Sequence, residues 1–281
     1  MTFAPEDLGR GKADLAQALK ELRKRAGLSG DRLARRCAMS QSKISKIETG
    51  RTVPSSVDVE RILRALGATP ETTAEVMSIA RIALTEWQDA RALRRKGLET
   101  KQAELADLEE GTREFRFFLL SMITGLLSTP EYIRATLAHI PGDHTRTTAR
   151  KLDRQRVLHD PTKRFTFVLT EQAVRWPLVP PSHMALQIDR LVSVSRLPSV
   201  RIGVIPIGGH LPGCPLNTFT VYDDRMATVE ISTGAIVFRD PRDVGSYLSE
   251  FESYEHQALF GEAARRRLSE WADDFREDLQ S

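Results

Sequence analysis

The stretch "SQSKISKIETGR", residues 40–51, sets two isoleucines three apart behind a serine, puts polar and basic residues between them, and leaves through Glu-x-Gly. Ser40 is the type of residue that caps a helix, its hydroxyl suited to the orphan amides of a first turn. Ile44 and Ile47 define one narrow apolar stripe, so Gln41, Ser42, Lys43, Ser45 and Lys46 fall on the opposite side. Side chains of this size enter a DNA major groove without clashing. Gln pairs bidentately with adenine, and Ser donates to or accepts from several base edges. Lys43, Lys46 and Arg51 suit phosphates, where a point charge suffices.

The same signals continue on either side. Leu15, Leu19, Leu22 and Ala26 predict a helix closed by Gly27, and Ser29 caps a second in which Leu33, Ala34 and Cys37 share a face. Only Ala38 and Met39 separate that helix from the one beginning at 40, so the two must cross steeply, as in a helix-turn-helix. Val59, Ile62, Leu63 and Leu66 mark a fourth helix stopped at Gly67, and Val76, Ile79, Ala80 and Ala83 a fifth. Residues 1–70 carry 14 Lys/Arg against 8 Asp/Glu, a balance of +6, and residues 71–281 carry 27 against 30, a balance of −3. The basic end is the one expected to meet a polyanion.

"LKELRKRAGLS", "RLARRCAMSQSKISKIETGR" and "SVDVERILRALG" together resemble the helix-turn-helix of the lambda-repressor/Cro-like, xenobiotic-response-element transcription regulators. The resemblance implies a recognition helix over about 40–49 and a structural role for Glu48 at its end. Members of that family usually carry a phosphate-gripping Gln at the start of the second helix. Here Gly30 and Asp31 stand there, which passes the anchor to Arg32 or a backbone amide.

Residues 85–111 are charged, sparse in apolar residues and interrupted by Gly97, and are expected to be a helical linker between a 1–84 DNA-binding domain and a 112–281 domain. In the latter, Pro130 opens a helix. "RFTFVLT" (164–170) and "VRIGVIPI" (200–207) read as strands around a helical "MALQIDRLVSVSRL", with parallel pairing expected. "TFTVYD", "ATVEIS" and "AIVFR" read as an antiparallel meander, and two helices close the chain. The fold class expected is an all-α five-helix domain followed by an α+β domain. "GLLSTPEYIRA", "FTFVLTEQAVRW", "VRIGVIPIGGH" and "FRDPRDVGSYLSEF" resemble the uncharacterised C-terminal domain of many actinobacterial regulators, some described as antitoxin-like.

The longest apolar stretch, "FFLLSMITGLL" at 117–127, is too short to span a bilayer, the N-terminus lacks a signal-peptide core, and a cytoplasmic protein is expected. Cys37 and Cys214 match neither a disulfide framework nor a zinc spacing, and no metal or cofactor is expected. His210 and Cys214 share a long Gly/Pro loop but lack an orienting third group, so no enzyme is expected. Glu171 follows a strand and Glu230 sits inside one, where acid/base or metal chemistry competes with an ordinary charged outer face. Arg175 and Trp176 can pair with Glu171, stack on a ligand, or simply pack. Glu171, Arg175, Trp176 and His210 are the candidate ligand or partner residues.

The expected function is a sequence-specific regulator that binds double-stranded DNA as a homodimer, because one helix-turn-helix reads few base pairs. Its second domain would dimerise and sense a small-molecule effector or a small co-encoded protein. The alternative is an antitoxin-like module that binds such a protein and autoregulates its operon.

Overall fold

Helices α1 (Gly11–Arg25), α2 (Gly30–Arg36), α3 (Gln41–Glu48), α4 (Ser56–Leu66) and α5 (Pro70–Leu84) follow one another as the apolar spacing predicts. They belong to a computed structural model that describes residues 11–89, 98–208 and 213–277. Four of the helices begin at a hydroxyl cap: Ser29, Ser40, Ser55 and Thr69 each accept a hydrogen bond from the amide three residues on. Helix α4 ends where Gly67 takes φ +67°, a left-handed conformation that glycine adopts without a Cβ penalty. Leu15, Leu19, Leu33, Ile44, Ile47, Val59, Ile62 and Ala80 meet in one buried cluster.

The chain divides into two compact units. The first takes in the chain through Trp87 together with Ile236–Val244, and the second comprises Gln88–Ala235 and the residues from Gly245 on. Where the sequence predicts a helical linker from residue 85, the structure has strand β1 (Thr85–Asp89). Its "TEWQD" alternation fits a strand, and its partner is the remote β7 (Gly234–Phe238), which local spacing does not reveal. Within this unit Arg81 holds Asp243 at 2.5 Å and Arg239 holds Glu86 at 3.0 Å.

In the second unit α6 (Leu98–Gly111) leads into β2 (Glu114–Leu119), a strand the sequence reading passed over. Its first four residues alternate, exposed Glu114 and half-buried Arg116 with buried Phe115 and Phe117, but Phe117–Leu119 is buried throughout and runs on into further apolar sequence, which hides the period-two signal. There follow α7 (Pro130–Leu137), α8 (Thr145–Arg154), a 3-10 turn (Gln155–His159), β3 (Arg164–Thr170), α9 (Glu171–Arg175), α10 (Pro181–Val194), β4 (Val200–Ile205), β5 (Phe219–Tyr222) and β6 (Met226–Ile231). Beyond β7 come α11 (Pro241–Gln257) and α12 (Gly261–Glu277). The strands lie in the order β6-β5-β2-β3-β4, with β2, β3 and β4 mutually parallel and β5 antiparallel to both neighbours. A helical first unit and a mixed sheet covered by helices bear out the expected fold class.

Parallel register sets Phe115 beside Phe165 and Phe117 beside Phe167, with ring centroids 4.4 and 4.7 Å apart. This face packs against Ile188 and Leu191 of α10 and Leu268 and Trp271 of α12. On the other face Phe118 stacks on Tyr254 of α11 at 4.1 Å. Gly203 sits on that face too, where a Cβ would meet the Phe260 ring at 2.5 Å. The buried Lys163 caps α6, its ammonium donating to the carbonyls of Glu109, Glu110 and Thr112 at 2.7, 2.9 and 2.7 Å.

Candidate nucleic-acid interface

The turn between α2 and α3 is closed by backbone alone. Ala38 N–H donates to Arg35 and Met39 N–H to Ala34, with Ala38 itself in the left-handed region at φ +51°. Ser40 then accepts from Lys43 N–H at 3.1 Å and starts α3. Ile44 and Ile47 are each 1% exposed, whereas Gln41, Ser42, Ser45 and Lys46 are exposed. The two isoleucines fix the rotation of the helix, and that rotation turns the short polar face outward.

The end of α3 is fastened to α1. Arg23 grips Glu48 through two parallel bonds, Nε to Oε1 at 2.6 Å and Nη2 to Oε2 at 2.8 Å, while its Nη1 donates to the Leu28 carbonyl. Glu48 is thereby committed to the scaffold. This hydrogen bond, acting against burial, raises Arg23 above its usual value. Beyond Glu48 the chain turns through Gly50, and Arg51 stands exposed.

The basic residues of this surface are not equivalent. Lys43 reaches Asp58 of α4 at 2.8 Å, so its ammonium ties two helices together. Burial works to raise the Asp58 carboxyl, but the Lys43 hydrogen bond and charge, helped by Ser55, outweigh it and hold the group below the usual carboxylate value. Lys46 and Arg51 make no ion pair among the described residues. Arg32 is exposed at the start of α2, and the neighbouring Asp31 is paired with Arg35 at 2.7 Å. With no side chain at Gly30, a notch of about 230 Å³ opens beside Gln41 and Ser45, walled by Lys20 and Arg23.

Of the candidate ligand residues of the second unit, Glu171 and Arg175 are brought together. Glu171 accepts the Ile207 amide at 2.9 Å and pairs with Arg175 at 3.3 Å; Arg175 also meets Asp274 at 3.0 Å. Trp176 is 53% exposed. His210 lies outside the described residues. Glu230 stands elsewhere, at a cavity of about 330 Å³ between β2, β5 and β6 and the helices α6, α7 and α8. The polar wall of that cavity, Gln102, Glu109, Lys151 and Arg154, carried no signal in the sequence, because residues from distant segments assemble it. Cys37 is buried, which pushes its thiol up, and Cys214 is exposed.

Among the described residues no helix is long and apolar enough to cross a membrane. A helix-turn-helix domain family matches residues 14–76, and the family described as a domain of unknown function, DUF5753, matches residues 102–270. No curated protein matches the chain. Among solved structures, NucT from Helicobacter pylori is similar at 9% identity and TM-score 0.35, covering 62% of this chain and 97% of its own. The phospholipase D family member Nuc from Salmonella typhimurium has the same identity and TM-score over 63% and 97%. TrmBL2, an archaeal chromatin protein, has 11% identity and TM-score 0.32 over 71% and 65%. Likenesses this distant carry no argument about chemistry.

Proposed function

The chain belongs to the family of the domain of unknown function DUF5753, with a helix-turn-helix domain ahead of it, and we propose that it is a transcription regulator that reads a short operator through α3. The observation that carries this reading is the outer face of α3. Gln41, Ser42 and Ser45 are free to meet base edges while Ile44, Ile47 and Glu48 are held by the scaffold. Lys46, Arg51 and Arg32 stand around that face as phosphate contacts. Lys43 contributes less, since binding a phosphate would cost it Asp58.

One such helix covers too few base pairs for a unique site, so the protein acts as a homodimer on two half-sites about one helical turn apart. The second unit senses a small-molecule effector or a small co-encoded protein. The test is selection of genomic fragments by the purified full chain at two salt concentrations. The expected product is a short inverted repeat that survives the higher salt. Only unselective, salt-labile binding would reduce α3 to a basic helix without base readout.

A further inference from the structure

Two lysines of the second unit, Lys163 buried and Lys151 half-buried, are treated differently. Lys163 is satisfied by three carbonyls at the end of α6. Lys151, on α8, lines the 330 Å³ cavity, and its ammonium makes no hydrogen bond or ion pair among the described residues. Partial burial pushes the Lys151 ammonium below its usual value, against the opposing pull of Glu230, and an anion beside it would supply the direct ion pair that it lacks.

The other charges of the cavity are already matched. Arg154 is bound through Nε to Glu109 at 3.0 Å, through Nη2 to the same carboxylate, and through Nη1 to Gln102 at 2.5 Å. Lys101 faces Glu230 at 3.7 Å, and neither is buried. Three cations against two carboxylates leave one positive charge, that of Lys151. The lining also has an apolar part, with Phe117, Leu119, Ile123 and Leu137 all buried. Tyr222 also lines the space, its hydroxyl pushed up to about 12 by burial and by the Glu230 charge, so it remains a neutral donor.

We infer that this cavity is a binding site for a small organic acid, with a single carboxylate on Lys151 and an apolar body against Phe117, Leu119 and Ile123. One unmatched cation fits a monoanion, and a doubly charged phosphate would leave a charge without a partner. The volume lies in the range of small-molecule sites, which combine apolar walls with a few placed polar groups. The inference deepens the effector-sensing part of the reading above and rests on it only for the consequence of binding.

The test is calorimetric titration of the full chain, without DNA, with octanoate and hydrocinnamate and with their uncharged amides. At least one acid binds more tightly than its amide by about tenfold or more, the scale of one charge-assisted hydrogen bond. Lys151→Met removes that preference while leaving the melting temperature unchanged or higher, because it deletes an unpaired charge; Lys151→Arg keeps the preference. Equal binding of acid and amide, no binding of either acid at millimolar concentration, or a preference that survives Lys151→Met overturns the inference. A lower melting temperature in Lys151→Met assigns the lysine to the scaffold and overturns it as well. Since no DNA is present, failure here leaves operator reading untouched, and failure of operator selection leaves this result standing.

Discussion

Lys46 on α3 and Arg51 just beyond it stand in solvent in the first unit, whereas Lys151 of the second lines a cavity; all three lack an ion pair among the described residues. Unpaired charges on an outer face cost little, since water solvates them, and they remain available to a polyanion that releases its own counterions on contact. A half-buried charge lining a cavity bears part of a desolvation cost, and one small anion offsets it. Around each, neighbouring charges are matched: Arg23 with Glu48 and Lys43 with Asp58 in the first unit, Arg154 with Glu109 in the second. Position within the fold therefore separates a surface for a long polyanion from a site for one small acid, although the residue types are the same.

The strongest way to break the first half of this comparison is to unseat α3. Ile47→Ala leaves a void under the helix and should cost the helical unit roughly 2–5 kcal/mol, read as an earlier far-ultraviolet melting transition, with operator binding lost alongside. Retained stability would mean that α3 is not held by its isoleucines. Next in size is Ala38→Gly. A left-handed alanine costs about 1 kcal/mol, so the glycine variant should melt higher by that increment; no gain would argue against the turn as described.

Smaller effects sharpen the contrast between free and committed cations. Lys46→Ala and Arg51→Ala should each lower the salt slope of DNA binding by about one unit, uniformly across sequences. Lys43→Ala should change the slope less and the stability more, and an equal slope change in all three would dissolve the distinction. The least effect is a pH dependence. Because Asp58 is held below its usual value in the folded chain, its contribution is present above the unfolded carboxylate range and is lost as pH falls through the folded value. Asp58→Asn should flatten the acid side of the stability profile, and an unchanged profile would remove the Lys43 pair from the account.

The five helices were legible because their signals are local. A hydroxyl cap and its amide lie three residues apart, and an apolar stripe is visible within one helix. The outward face of α3 was legible for the same reason. Strands β1 and β2 were not, since β1 is defined by the remote β7, and the short alternation of β2 over Glu114–Phe117 merges into a longer apolar run beginning at Phe117. Helix α6 looked like a solvated connector because its buried residues, Gln102 and Glu109, are polar, and their partner Arg154 lies on another helix. The commitment of Lys43 to Asp58 and the isolation of Lys151 depend in the same way on contacts that spacing does not encode.

The proposed base readout runs through Gln41, Ser42 and Ser45 of α3. The most direct measurement compares the full chain with the Gln41/Ser42/Ser45 triple alanine variant on the selected operator and on a scrambled duplex of equal length at one fixed salt concentration. Scrambled-DNA affinity should be retained while the preference for the operator falls, by roughly 1–3 kcal/mol for each base contact removed. An operator preference undiminished in the triple variant would contradict it and move base readout to another surface.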